Sequence, residues 1–183
     1  DFNALQFNSN VLSNVPEFKN SNFKLIAKTK MFGKTKLDAT FIFDLKSNLH
    51  KHSVSGSLSP FELDALNVIV EKSAPFSIVS GQLNRFDFDI NFNDKKAEGE
   101  MYFGFDDFKI SVFEMDENEL KKSKFASFWV NKMILNSKNP KGNEFLPQTI
   151  SYERDVQRSI INYWWKAIFT GSKETLGIGD AGK

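Results

Sequence analysis

The side chains in this sequence that could bind a metal ion or react are few and far apart. His50 and His52 are two residues apart, so on a strand they would share one face and could in principle hold a metal. No carboxylate lies nearby at the same parity, and a useful metal site needs three or more ligands. We therefore expect surface histidines near a turn, with no metal site and no cofactor.

Two carboxylate pairs are of the kind that hydrolases use for acid and base chemistry, Asp87 with Asp89 and Asp106 with Asp107. The first pair belongs to the polar face of an alternating strand, and the second is predicted at a turn between strands. Solvated positions explain both pairs without catalysis.

Sequence motifs for nucleophilic or phosphate chemistry give no better candidate. No G-x-S-x-G sequence is present that would activate a serine. GIGDAG, residues 177–182, has the spacing of a phosphate-binding loop, but that motif must open a helix and only Lys183 follows. The sequence therefore predicts no catalytic residue and no enzyme.

The elements that would position any site are mostly strands of alternating polarity. In GQLNRFDFDINFND, residues 81–94, every second residue is apolar, which predicts one strand with an apolar and a polar face. Residues 23–31 and 37–45 alternate in the same way around a turn at 32–34, which predicts a hairpin. Val54 and Leu58, which would lie on the same face of a strand, indicate the apolar face of a third strand.

Further strands are expected on both sides of that stretch. FSIVSG leads into that stretch, and AEGEMYFGF and FKISVFE follow it after turns at residues 93–96 and at Asp106-Asp107, which predicts at least three adjacent antiparallel strands. TISYE is predicted to be a short final strand. Residues 1–20 are expected to form a strand or an irregular lead-in. The chain is thus expected to be a single α+β domain, 1–183, with a predominantly antiparallel, curved sheet and two or three helices packed on or beside it.

Three segments are predicted to be helical. Ser59, Pro60 and Glu62 form a capping signal for a helix of about fourteen residues that Pro75 ends. A second helix is expected within residues 116–135, with Phe125, Phe128 and Trp129 available for burial. The closing helix is expected over 155–178, starting near Asp155.

The closing helix admits two interpretations. Its predicted apolar face runs along Val156, Ile160, Trp164 and Ile168, and is widened by Ile161, Tyr163, Trp165 and Phe169. Tyr163, Trp164, Trp165 and Lys166 could therefore belong to a helix at a membrane interface or to a helix docked on the sheet. The wide apolar arc favours docking.

The composition narrows the class of protein. The chain has 183 residues, 20 phenylalanines, no cysteine and a formal net charge of +1. The balanced charge argues against a nucleic-acid surface, which needs a basic excess, and the absence of cysteine excludes disulfides and thiolate metal sites. Since the chain starts at Asp1, we expect a piece of a longer protein whose anchor lies upstream.

Three segments resemble AsmA-like envelope proteins of Bacteroidetes-type bacteria, which are related to bridge-like lipid-transfer proteins. They are GSLSPFELDALNVIV, SGQLNRFDFDINFNDKKAEGEMYFGFDDFKISVFE and YERDVQRSIINYWWKAIFTGSKETLGI, in that order. Val68 stands where the family often has proline, and Phe105 and Phe108 stand where it often has tyrosine and leucine. The family's upstream membrane helix and long β-rich midsection are absent from these residues, so the resemblance implies that the chain is only the C-terminal domain.

The resemblance implies a non-enzymatic, periplasm-facing module, anchored in the inner membrane and linked to lipid transport and outer-membrane assembly. Its expected partners are lipid acyl chains and other envelope proteins, with no nucleic acid. The candidate lipid-facing residues are Phe41, Phe43, Phe86, Phe88, Ile90, Phe92, Met101 and Phe103. A helix-covered sheet gives the same alternation, so an end-cap or protein-interaction module with a closed core is the alternative.

Overall fold

Alternating polarity along most of the chain produces one large sheet in the structure. The computed structural model describes residues 2–13, 22–73, 76–112, 137–140 and 147–176. The strands are β1 (Phe2–Ser9), β2 (Asn22–Met31), β3 (Thr35–Asp44), β4 (His52–Leu58), β5 (Phe61–Glu62), β6 (Phe76–Phe92), β7 (Lys96–Val112) and β8 (Gln148–Glu153). A 3-10 turn (Leu63–Leu66) leads into helix α1 (Asn67–Ser73), and helix α2 spans Ile160–Leu176.

The strands form an antiparallel, curved sheet in the order β1-β2-β3-β4-β6-β7-β8, and β5 pairs with β6 beyond the end of β4. The predicted α+β fold is confirmed. The predicted turns at 32–34 and 93–96 are also confirmed, the second through Asn93, whose Oδ1 accepts hydrogen bonds from the backbone N–H groups of Lys95 and Lys96 at 2.8 and 3.0 Å.

Residues 76–113, predicted as at least three adjacent antiparallel strands, contain two long strands. β6 and β7 each contain 17 residues and pair with each other along most of their length. The pairing shifts register near Gly81, whose φ is +154°, and Asp107 adopts a φ of +52° within β7. A bulge takes up extra residues and bends a strand without ending it, so the predicted turn at Asp106-Asp107 is wrong.

The helix predicted from the capping signal at Ser59 is only half as long as expected. The Ser59 N–H donates to the carbonyl of Lys36 at 2.9 Å, and its hydroxyl accepts from the Lys36 N–H at 2.8 Å. Phe61–Glu62 then pair with β6 as β5. Because the sheet supplies partners for these backbone groups, the helical part begins only with the 3-10 turn and α1.

Helix α2 begins five residues later than predicted. Asp155 accepts a hydrogen bond from the Gln157 N–H at 2.9 Å and closes a turn outside the helix. Ser159 is the actual cap, since its hydroxyl accepts from the Asn162 N–H at 3.2 Å. The helix predicted within 116–135 lies outside the described residues.

The side of α2 that faces the sheet is rotated from the predicted face. Tyr163 and Ala167 are fully buried, whereas Val156 and Ile161 are exposed. A Cβ atom at Gly171 would lie 2.6 Å from Sδ of Met101 and 2.8 Å from Cγ1 of Ile150. Glycine at this position therefore lets α2 lie close against β7 and β8, and the helix is docked on the sheet as the sequence favoured.

Candidate functional site

One face of the sheet is apolar across its central strands. Opposite residues on neighbouring antiparallel strands share a face, and the register places Phe41 opposite Val54, Val54 opposite Ile90, and Ile90 opposite Gly99. The apolar residues predicted to share this face in β3, β4 and β6 do so. The other face carries the alternating charged and polar residues.

The helices cover this apolar face only in part, and a cavity remains between them and the sheet. Its volume is about 440 Å³, within the range of about 300–1,000 Å³ that is typical of small-molecule sites. The sheet floor comes mainly from β3, β4 and β6, one wall from the 3-10 turn and α1, and the other from α2. We call this cavity the apolar groove.

The lining of the apolar groove is hydrocarbon almost throughout. Ser172 is the one lining residue in the described part of the chain that carries a hydroxyl, and this hydroxyl donates to the carbonyl of Ile168 at 3.0 Å. A ligand would therefore meet apolar side chains rather than hydrogen-bonding groups. Such a surface selects for the apolar character of a ligand and for its shape.

Most residues predicted to face lipid line the groove: Phe41, Phe86, Phe88, Ile90, Phe92 and Phe103. Phe43 and Met101 do not. Phe43 lies beyond the groove, with its ring centre 6.1 Å from that of Phe23 and 5.6 Å from that of His52. Met101 is completely buried beneath α2.

The sequence did not assign the remainder of the lining to the site. Leu63, Leu66, Ile69 and Val70 form the α1 wall, and Trp165, Ile168 and Phe169 contribute to the α2 wall. The helical spacing of these apolar residues was visible in the sequence and predicts that one side of each helix is buried. It does not predict that a space remains between the two helices. The separation of the helices depends on where each docks on the sheet.

Gly56 shapes the floor of the groove. A Cβ atom here would lie 2.7 Å from the carbonyl oxygen of Asp38 and 2.8 Å from Cζ of Phe88. Because glycine leaves this space open, the Phe88 ring lies across β4 instead of rising into the groove. The half-buried Phe88 ring thus forms part of the aromatic floor of the groove.

His50 is a surface residue near a turn, as predicted, but His52 is buried and the two histidines do not share a strand face. His52 is 9% exposed, whereas His50 lies in the preceding turn with a φ of +47°. Nδ1 of His52 lies 2.9 Å from the His50 carbonyl, and its Nε2 lies 3.0 Å from Nε1 of Trp164. A neutral ring with its proton on Nδ1 satisfies both contacts, since the indole N–H can only donate.

Burial lowers the pKa of His52 below its usual value, and the hydrogen bond to the His50 carbonyl opposes that effect. His50 itself pairs with Asp94, 2.7 Å from Nδ1 to Oδ2, a carboxylate that the sequence parity did not reveal. This hydrogen bond lowers the pKa of Asp94, and Arg154, whose Nη1 lies 2.9 Å from Oδ1, acts in the same direction.

The carboxylate pairs do not converge on a site. Asp87 forms an ion pair with Arg85 on the polar face, and Asp106 accepts a hydrogen bond from the side-chain amide of Asn84 at 2.7 Å. Among the described residues, no group of three or more histidine, aspartate or glutamate side chains is placed to hold a metal ion. The GIGDAG segment lies outside the described residues.

Comparisons with known proteins add no relative from which a function could be transferred. No protein-family model, no curated protein and no solved structure matches this chain. Within the described residues, no helix has the length and apolar character needed to cross a membrane. The apolar groove has the size and the lining of a ligand site.

Proposed function

We propose that this chain is a non-enzymatic module of the bacterial cell envelope that accommodates the acyl chain of a lipid in its apolar groove. The observation that carries the proposal is the cavity of about 440 Å³ between α1, α2 and the sheet. Burying an alkyl chain there removes apolar surface from water, which stabilises the complex by about 25 cal/mol for each Å² buried.

The apolar face continues beyond the groove toward the first strand. Phe7 of β1 pairs with Ala27 of β2, and Ala27 pairs with Ala39 in the groove floor. Phe7 is nevertheless 62% exposed. This continuous apolar surface supports a groove along which an acyl chain extends, in preference to a closed core of an end-cap module.

The cellular setting is part of the proposal and is supported by the resemblance to AsmA-like envelope proteins. In this proposal the full-length protein is anchored in the inner membrane by an upstream segment, and this module faces the periplasm. It contributes to lipid transport and outer-membrane assembly, alongside other envelope proteins. The groove supplies the apolar environment that an acyl chain needs while it is outside a bilayer.

The proposal is tested with a groove-filling substitution and a matched control. Leu58 lines the groove, so Leu58→Trp places an indole where the ligand would lie. Leu45 is an exposed residue outside the lining, so Leu45→Trp makes the same change elsewhere. Two quantities are measured for the unmodified chain and for both variants. The first is the binding of Nile red, a neutral apolar dye. The second is the amount of co-purifying lipid, identified by mass spectrometry.

We expect Leu58→Trp to weaken dye binding by about five- to 150-fold, because overpacking a site costs about 1–3 kcal/mol. Leu45→Trp should bind like the unmodified chain, and co-purified lipid should be depleted only in Leu58→Trp. Circular dichroism establishes that both variants are folded. Equal dye and lipid binding by the two folded variants would contradict the proposal.

A further inference from the structure

Where α2 borders the apolar groove, it combines stacked aromatic rings with lysines. Trp165 and Phe169 both line the groove, and their rings stack with centres 5.9 Å apart. Neither ring is fully buried, and Ile161, one turn before Trp165, is 63% exposed. An apolar ridge therefore runs along α2 where the groove meets solvent.

Two lysines flank this ridge. The Nζ atoms of Lys166 and Lys173 lie 5.8 and 5.3 Å from the ring centre of Phe169. Spacings of three and four residues place all three side chains along one side of a helix. Neither lysine forms an ion pair with any described residue.

We propose that this ridge docks the groove mouth onto an anionic membrane surface. Tryptophan and phenylalanine insert at the boundary between headgroups and acyl chains, while lysines remain among the headgroups. Each lysine near an anionic bilayer adds a favourable electrostatic contribution. The proposal rests on the proposed function, because it identifies the bilayer as the place where the groove exchanges its acyl chain.

The chemistry of the ridge favours a bilayer over a protein partner. The cores of protein–protein interfaces are depleted in lysine and favour arginine, whereas the cations on this ridge are both lysines. The helix is already held by its opposite side, through buried Tyr163 and Ala167. The ridge can therefore contact a surface without α2 leaving the sheet.

The charge requirement is tested on the intact chain with a matched pair of double variants. Lys166→Gln/Lys173→Gln removes both ridge charges. Lys24→Gln/Lys30→Gln removes two exposed charges from the polar face of β2, on the other side of the sheet. Binding is measured by co-sedimentation with phosphatidylcholine vesicles, with and without phosphatidylglycerol, and Nile red uptake is measured without vesicles.

We expect the intact chain and the β2 variant to bind the phosphatidylglycerol vesicles more tightly than the neutral ones. The ridge variant should bind them about thirtyfold more weakly, roughly fivefold for each lysine. Equal loss in both double variants, or equal binding to the two kinds of vesicle, would overturn the docking proposal. Vesicle binding that depends on the ridge, in a chain that takes up no dye, would support docking and count against the proposed groove function.

Insertion of the ridge is tested by quenching tryptophan fluorescence with phosphatidylglycerol vesicles that carry brominated acyl chains. We expect quenching in the intact chain and a marked loss of quenching in Trp165→Phe. Quenching of the same extent in both proteins would show that the α2 ridge does not enter the bilayer. Dye uptake should be unchanged in the ridge-lysine variant, because neither lysine lines the groove.

Discussion

The indole Nε1 of Trp164 donates a hydrogen bond to Nε2 of His52 at 3.0 Å and so links α2 to β4 across 112 residues of sequence. The same indole packs against Phe41, with ring centres 5.1 Å apart. Trp164 also lines the apolar groove. One side chain therefore holds the helix, contacts the sheet floor and contributes to the groove wall.

Replacing Trp164 with phenylalanine tests how much this hydrogen bond contributes. The variant keeps an aromatic ring but leaves Nε2 of the buried His52 without its donor. Such a loss costs about 1–3 kcal/mol, which urea unfolding would measure. Trp165→Phe makes the same chemical change at the next position and should cost less than about 1 kcal/mol. Equal stabilities for the two variants would contradict a structural role for the hydrogen bond.

The pH dependence of stability should report on His52. Its pKa in the folded chain is lowered by burial, whereas the unfolded chain should have a value near about 6.5. The unfolded state therefore binds the proton more tightly, so this contribution to the unfolding free energy is complete above about pH 6.5 and declines as the pH falls toward the folded-state pKa.

Urea unfolding at several values between about pH 5 and pH 8 would measure this decline. We expect the decline in this range to be smaller in His52→Gln than in the unmodified chain. His50→Asn serves as the control, because asparagine tolerates the positive φ of the turn, and it should retain the decline. If the unfolding free energy of His52→Gln fell as much with decreasing pH as that of the unmodified chain, groups other than His52 would be responsible.

Tyr163 tests whether α2 belongs to the core. The side chain is 1% exposed, its hydroxyl donates to the Asn93 carbonyl at 3.2 Å, and burial raises its pKa to about 12. Replacing a buried aromatic with alanine costs about 3–5 kcal/mol, a large part of the roughly 5–15 kcal/mol expected for a domain. Tyr163→Ala should therefore lower the urea midpoint far more than Tyr102→Ala on the polar face.

Removal of residues 155–183 extends the same test to the whole helix. The truncated chain loses Tyr163, Ala167 and Leu176 from the core and should be insoluble or lack a cooperative transition. A cooperative thermal transition near that of the intact chain would show that the sheet does not need α2.

Gly171→Ala tests the close approach of α2 to the sheet. Alanine favours an isolated helix over glycine by about 1 kcal/mol, so a stabilised variant would be expected if the site had room. The added Cβ would instead lie 2.6 Å from Sδ of Met101, and overpacking of this kind costs about 1–3 kcal/mol. We expect net destabilisation in urea unfolding.

A double-mutant cycle with Met101→Ala identifies the cause of that destabilisation. Removing most of the Met101 side chain should reduce the cost of Gly171→Ala, so the two changes should be non-additive. Additive effects would show that Met101 is not what limits the space at this position.

The strand faces were determined by the sequence itself. Alternation of Phe86, Phe88, Ile90 and Phe92 with polar residues requires one apolar and one polar face, because successive strand side chains point in opposite directions. The turns at 32–34 and 93–96 were predicted for a comparable reason: residues such as glycine and asparagine favour tight turns locally. These features depend on residues close together in the chain.

Features that depend on distant partners were decided only by the tertiary structure. The capping signal at Ser59 failed because Lys36 offers backbone groups to it, and the break at Asp106-Asp107 became a bulge because β6 continues alongside. The groove and the Trp164–His52 hydrogen bond arise from where α1 and α2 dock on the sheet. Local periodicity specifies which side of a helix is apolar, whereas the space left between two helices depends on long-range packing.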